Sequence, residues 1–361
     1  MMRMNRFRLY AAASALLVGS SSAFSVLSSS TTPQKPSSTK LHDSSNPLID
    51  LMEKISPPQQ PSSSSRFCKA RELITSLVEE EQCFSTEAGA REFGDVCALN
   101  IVYEDCFEPQ PMVGRDAVTN HMLAKVAQRK GKGDVRIDRI SDGNNACGFA
   151  WTWVTDNEEG LRGTTFVSLN ANGEIDYVRE IPEPIYKPGD LTVELLKAVT
   201  ADAERKPKPE FTPKTPTVAN EVAKYLFEDV QGGEIDEALR FFSDSIIYRD
   251  FNYEEPLNGP AEVRTFLEDF DFPGIEFRPT RFDDGIDSTC FTWEVCLDGA
   301  PETIRGISFY ELEPDTRKIS YIRDVPCSAI LPPPLGKLAR DLRPGLGVFQ
   351  GVPLGSRPGG K

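Results

Sequence analysis

The sequence predicts an α+β protein built twice over, and three blocks of residues predict it. Tyr103-Glu104-Asp105, followed by Pro111 and Gly114, recurs as Tyr248-Arg249-Asp250, followed by Pro256 and Gly259. Arg162-Gly163-Thr164-Thr165-Phe166 returns as Arg305-Gly306-Ile307-Ser308-Phe309. Ile175-Asp176-Tyr177-Val178-Arg179-Glu180-Ile181-Pro182 returns as Ile319-Ser320-Tyr321-Ile322-Arg323-Asp324-Val325-Pro326. The blocks keep their order at spacings of 145, 143 and 144 residues. The repeated unit, roughly 120 residues, has the size of a domain rather than of a solenoid repeat.

Within each copy the hydrophobic period changes in the same order. Phe67, Ala70, Leu73, Ile74, Leu77 and Val78 lie at helical spacing over 66–83. A short helix is expected at about 86–98, a strand at 99–107, and a helix opened by Gly114-Arg115-Asp116 that runs to about Gln128. Strands at about 134–141, 146–156, 161–170 and 174–181 complete the unit. The second copy repeats this with helices at 218–230 and 235–242, a strand at 245–251, a helix at 261–270 and strands at 275–283, 289–297, 303–312 and 317–325. Helices gathered ahead of a run of strands indicate a curved antiparallel sheet wrapped on its helices. The domains are expected at 66–200 and 217–330, joined by a charged, Pro-rich linker at 201–216.

That order of elements, the Tyr-x-Asp strand leading to a Pro/Gly turn, and the ending hydrophobic-x-Tyr-x-Arg-acid-x-Pro resemble the SnoaL-like division of the nuclear transport factor 2-like superfamily. The resemblance covers about 66–190 and 217–328 and implies two tandem SnoaL-like cone domains. The superfamily includes isomerases, dehydratases and cyclases beside members that only bind or assemble, so the fold does not choose an activity.

The repeated polar residues are the candidate sites. Tyr103 with Asp105, and Tyr248 with Asp250, alternate along one strand and point the same way. As an enzyme, each pair would be a general base beside an oxyanion donor, giving a cofactor-free lyase or isomerase. As structure, each Asp would bind turn amides before Pro111 or Pro256, or pair with a repeated arginine. Arg162, Arg179 and Glu180 recur as Arg305, Arg323 and Asp324, either a half-buried charge cluster or an anion-binding cone mouth. Phe149, Trp151 and Trp153, like Phe291, Trp293 and Val295, alternate on one strand face, for packing on helices or for stacking a pigment or other flat ligand. His121 stands where the second copy has Phe266, which reads as a packing site and excludes histidine chemistry in both domains. No phosphate-cradling glycine loop, G-x-S-x-G or H-E-x-x-H occurs, so no cofactor and no metal is expected.

The ends carry different signals. Arg3, Arg6 and Arg8, then an apolar stretch from Leu9 to Val18 and a small-residue site ending at Ala23, read as a signal peptide over 1–23. A transit-like segment at 24–65 opens with Phe24, and Asp43 is the only acid up to Pro47. Together they resemble the bipartite presequences of algae with complex plastids, the alternative being ordinary secretion ahead of a Ser/Pro linker. Residues 1–65 hold six Lys/Arg and three Asp/Glu of the chain's 40 and 55, so the remainder carries a net charge near −18. Such a surface repels phosphate backbones, and nucleic acid is not expected as a partner. No second stretch reaches membrane-spanning length. The eight cysteines show no pairing that recurs in both copies; Cys147 falls near the place of Cys290, and most are expected as buried hydrophobes in a reducing stroma.

The tail at 331–361 is basic and leucine-rich. Lys337, Arg340 and Arg343 interleave with Leu335, Leu338, Leu342, Leu346 and Phe349, so it expects an acidic, apolar groove on its own body or on a neighbouring copy. Tandem homologous regions, plastid targeting and a C-terminal extension resemble the pyrenoid shell proteins of such algae. The resemblance implies a non-enzymatic stromal protein that self-associates through its tail into a sheet around the Rubisco condensate.

Overall fold

The computed structural model describes residues 69–327, apart from 109, 130–131, 157, 206, 208–209, 231–233 and 299–303. The expected signal peptide, transit-like segment and basic tail lie outside the described residues. In the first copy, helix α1 (Ala70–Thr75) widens into a π-helical turn over Ser76–Glu80 and buries Leu73, Ile74, Leu77 and Val78. Helix α2 (Glu87–Asp95) starts where the Thr86 hydroxyl accepts the Gly89 amide at 3.0 Å, an N-cap. Strands β1 (Cys97–Asp105) and β2 (Met112–Val113) lead to helix α3 (Arg115–Arg129). β3 (Asp134–Ile140), β4 (Ala146–Val154), β5 (Glu159–Leu169) and β6 (Ile175–Pro182) follow. Helix α4 (Asp190–Val199) stands between the copies, a helix that the repeat pattern does not foretell.

The second copy repeats the plan. Helix α5 (Ala219–Lys224) widens in turn into a π-helical segment, Tyr225–Val230, and is followed by α6 (Ile235–Leu239). Then come β7 (Phe242–Asp250), β8 (Leu257–Asn258), α7 (Gly259–Asp269), β9 (Ile275–Phe282), β10 (Ser288–Leu297), β11 (Ile304–Leu312) and β12 (Ile319–Pro326). Each copy forms a six-stranded sheet, ordered β2-β1-β6-β5-β4-β3 and β8-β7-β12-β11-β10-β9. Pairing is antiparallel except where the first long strand lies parallel to the last, β1 with β6 and β7 with β12. The repeated glycines Gly114 and Gly259 take φ of +95° and +76°, a backbone that L side chains resist, which is why both turns into α3 and α7 keep glycine. No described helix is long and apolar enough to cross a membrane.

Strand parity gives each sheet two apolar faces. One holds Phe149, Trp151, Val167 and Val178 against the helices. The opposite face presents Phe166, Tyr177 and Ile181, which pack on Ile307, Phe309, Val325 and Phe251 of the other copy. The six residues from Ala146 to Trp151 are therefore all buried, although β4 alternates small residues with aromatics. The small set, Ala146, Gly148 and Ala150, faces the other sheet and permits its approach.

Polar contacts across this interface are reciprocal. Asp142 accepts the backbone amides of Ile286, Asp287 and Ser288 at 3.1, 3.1 and 3.0 Å. Its counterpart Asp284 accepts those of Asn144 and Asn145 at 2.7 and 2.9 Å. Arg179 donates to the carbonyls of Trp293 and Gly306 at 3.3 Å, while Arg323 donates to the Thr164 hydroxyl at 2.7 Å and the Gly163 carbonyl at 3.2 Å. Gly163 and Gly306 also make room for tryptophan: a Cβ there would lie 2.3 Å from the Trp151 ring and 2.0 Å from the Trp293 ring.

The cysteines require two corrections. Phe149 pairs with Thr165 and Phe291 with Ser308, so Cys290 corresponds to Gly148 and not to Cys147. Cys106 and Cys327, 221 residues apart with Cα atoms 5.9 Å apart, form a disulfide between the copies. Each copy supplies one cysteine from a non-equivalent position, so no recurring pair marks the bridge in the sequence. Cys83, Cys97, Cys147 and Cys290 are free and buried.

Burial alone would raise the Asp142 carboxyl, but the three amides and the Ser288 hydroxyl outweigh it and hold it below the ordinary value. Asp142→Ala removes those bonds, and because Ile286 and Asp287 are exposed to water the expected cost is about 0.5–1.5 kcal/mol. That appears as a fall of several degrees in Tm by calorimetry. An unchanged Tm would show that the reciprocal caps do not hold the copies together.

Candidate functional site

The parallel pairing of β1 with β6 sets Asp105 directly opposite Glu180 inside the first cone, with Tyr103 two residues earlier on the same face. The Tyr103 hydroxyl donates to Glu180 Oε2. From α3, Lys125 reaches between the acids, its Nζ 2.6 Å from both Glu180 oxygens and 3.3 Å from Asp105 Oδ2. One turn earlier, His121 Nε2 lies 3.1 Å from Asp105 Oδ2, and its ring packs on Tyr103 with centroids 5.5 Å apart. Asp105 Oδ1 accepts the Phe107 amide at 2.9 Å, the turn contact that a structural role requires. Tyr103, Asp105, Lys125 and Glu180 are all buried. Burial, reinforced by the Glu180 and Asp105 charges, pushes the Tyr103 hydroxyl well above 10, so it is a donor and not an acid at neutral pH. Around it, Ile74, Leu77, Phe93, Phe149 and Val178 close on a gap that holds no water-sized space.

The second cone keeps the strands and changes the helix. Phe266 and Phe270 of the second copy stand where the first has His121 and Lys125. The Phe266 ring packs on Tyr248 and Phe270 at 5.1 and 4.8 Å. Tyr248 donates to Asp324 Oδ2 at 2.5 Å, and Ser308, which accepts the Trp293 indole N–H at 2.8 Å, donates to Asp324 Oδ1. Asp250 Oδ1 accepts the amide and side-chain N–H of Asn252 at 2.8 and 2.9 Å. With no lysine beside them, burial pushes the Asp250 carboxyl up to about 7 and the Asp324 carboxyl to about 6. Two acids poised near neutrality could exchange a proton with a molecule that reached them.

The repeated charged residues divide between two faces, the acids Glu180 and Asp324 on one and the arginines gathered on the other. Glu180 and Asp324 point into the cones. Arg179 and Arg323, one residue earlier, point to the opposite face by strand parity. Arg179 pairs with Glu104 at 2.7 Å, Arg162 lies 2.9 Å from Glu183, and Arg305 sits 3.5 Å from Glu294 and 3.9 Å from Glu104. Sequence reasoning missed Lys125, although it shares a helix stripe with the buried Val118 and Met122 and interrupts an apolar face. Among the described residues no three metal-ligating side chains converge. The tail residues proposed for assembly, Leu335 to Phe349, lie outside the described residues.

Lys125→Met leaves two buried carboxylates without their countercharge, and breaking such a group costs about 3–5 kcal/mol. Tm should drop sharply and recover in part when Glu180→Gln is added; a double variant no better than the single would separate the two residues energetically. The second cone predicts an unusual pH response. Buried Asp250, Asp324 and the interface residue Asp283, raised to about 7, 6 and 7, bind protons more tightly folded than unfolded. Their contribution to stability is therefore full below the ordinary carboxyl value of 3.8 and is lost progressively as pH rises from there through 6–7. Tm measured across the pH interval from 3.8 to 7 should fall and then level off, and Asp250→Asn should make the fall shallower; equal slopes would show that Asp250 does not titrate there.

Residues 223–321 match the family model of the SnoaL-like domain. Parts of the chain are similar to three solved structures. A protein from Agrobacterium tumefaciens described provisionally as an isomerase of the SnoaL-like family aligns at 23% identity over 32% of this chain and 98% of that one, with a TM-score of 0.27. A nuclear transport factor 2-like protein of unknown function from Cytophaga hutchinsonii aligns at 12% identity over 36% of this chain and 98% of that one, TM-score 0.25. A de novo designed protein with a curved β-sheet aligns at 12% identity over 36% of this chain and 95% of that one, TM-score 0.26. No curated protein matches the chain. Both copies are α+β units with a six-stranded sheet and helices in the same order, and the SnoaL-like match lies within the second.

Proposed function

We propose that the protein is a non-enzymatic structural component of the plastid stroma, built to associate with copies of itself, with the rim of the pyrenoid as its place. The first cone carries this reading: the Tyr103–Asp105 pair that chemistry would need is held by Lys125, Glu180, His121 and the Phe107 amide, with no water-sized space beside it. A substrate would have to break that network before meeting a reactive group. The bipartite presequence and the basic, leucine-rich tail support the location and the self-association. Exposed apolar side chains add candidate contact surfaces, Leu99 and Val113 on one edge and Ile185, Tyr186 and Leu191 ahead of and on α4.

One observation favours a second reading, a lyase or isomerase in the second cone: Asp250 and Asp324 are poised close to neutral pH. Imaging and sedimentation separate the two. A fluorescent fusion should mark a shell around the Rubisco condensate, and the chain without its presequence should sediment as large assemblies that revert to small species when 331–361 is deleted. A diffuse fusion and a monomeric full-length protein would overturn the structural reading.

A further inference from the structure

Between the copies, β3, β4 and β5 of the first and β7 and β12 of the second line an open pocket of about 190 Å³ that holds two acids, Asp138 and Glu159, and five arginines, Arg136, Arg139, Arg162, Arg249 and Arg323. Five guanidiniums around one small space are unexpected on a chain of net charge −15. The acids nearby are already matched. Asp138 and Glu159 pair with Arg136 at 2.8 and 2.9 Å, Glu311 with Arg139, and Glu183 with Arg162 at 2.9 Å.

Arg249 and Arg323 remain. They lie directly opposite each other across the β7–β12 ladder, a like-charge pair that destabilises a sheet unless something lies between. Arg323 is 7% exposed; its hydrogen-bond partners are neutral, the Thr164 hydroxyl, the Gly163 carbonyl and Tyr321, it stacks on the Phe251 ring at 4.2 Å, and the one carboxylate acting on it, Glu183, is the one that pairs with Arg162. Arg249 has no hydrogen bond or ion pair among the described residues.

The duplication supplies an internal control. At the equivalent register of the first copy, Glu104 stands opposite Arg179 and bonds it at 2.7 Å, takes the Tyr177 hydroxyl at 3.1 Å and lies 3.9 Å from Arg305. At this strand position the first copy thus carries a carboxylate, whereas in the second it is replaced by a fifth arginine beside an open space. We propose that this pocket binds a compact oxyanion carrying two or more negative charges, of the class of a diphosphate or a small phosphorylated metabolite. Guanidinium forks match phosphate oxygens bidentately, and a cavity of about 190 Å³ exceeds what a lone carboxylate needs.

Inorganic pyrophosphate, titrated into the full mature chain by calorimetry against sodium chloride of equal ionic strength, tests this. Saturable binding and a rise in Tm beyond the salt control are expected. Arg249→Gln should weaken binding by about tenfold or more, the loss of one charge-assisted contact. Arg249→Glu should copy the Glu104–Arg179 pair of the first copy, abolishing binding and raising the ligand-free Tm. Arg264→Gln, at an exposed arginine paired with Asp236, should bind as the parent does. Absence of binding beyond the salt control, equal affinity in Arg249→Gln, or a lower ligand-free Tm in Arg249→Glu would overturn the proposal.

Discussion

Phe166, Tyr177 and Ile181 of one sheet, and Ile307, Phe309 and Val325 of the other, occupy the faces turned away from the helices. Left in water, either face would be a large apolar patch on a twisted sheet, so each copy needs the other. Each such side chain contributes roughly 1.5–3 kcal/mol on burial. Together they offset the desolvation of Arg179 and Arg323, which cross the same interface and end on partner carbonyls. The position of Gly163 and Gly306, the small residues of β4 and the paired caps of Asp142 and Asp284 all follow from bringing these two faces into contact.

Within that symmetric frame the differences between copies are informative. The cones begin from the same strand residues, a tyrosine and two acids. In the first, Lys125 compensates the acids and His121 lies within hydrogen-bond distance of Asp105, giving a charged but closed network. In the second, Phe266 and Phe270 fill the space with rings and leave Asp250 and Asp324 to respond by holding protons. These are two physical answers to one problem, a buried carboxylate pair. In the first cone no water-sized space is left beside the tyrosine.

The duplication, the order of elements and the helix-facing aromatics were legible because they depend on local periodicity and on identity between copies. The meaning of the repeated blocks was not. Arg-Gly-x-Thr/Ser-Phe and Tyr-x-Arg-acid looked like charge clusters, but parity sends arginine and acid to opposite faces, and what recurs is an interface. The disulfide was hidden because Cys106 and Cys327 occupy non-equivalent places. Lys125 was hidden because a lysine on a helix reads as solvated until the strand opposite is known. Helix α4 lay outside the repeat, and so outside the comparison that identified everything else.

Fusing two domains in one chain also changes what substitution can do. In a symmetric homodimer an arginine at the position of Glu104 would appear twice, setting two like-charge pairs in one interface. In the fused chain it appears once, as Arg249, while Glu104 keeps the other side neutralised and the common core intact. A pocket with unmatched charge is therefore tolerable here at half the electrostatic cost, and the intact side holds the sheets in register around it. The same freedom accounts for the cones, where one copy could lose its lysine without both carboxylate pairs losing their countercharge.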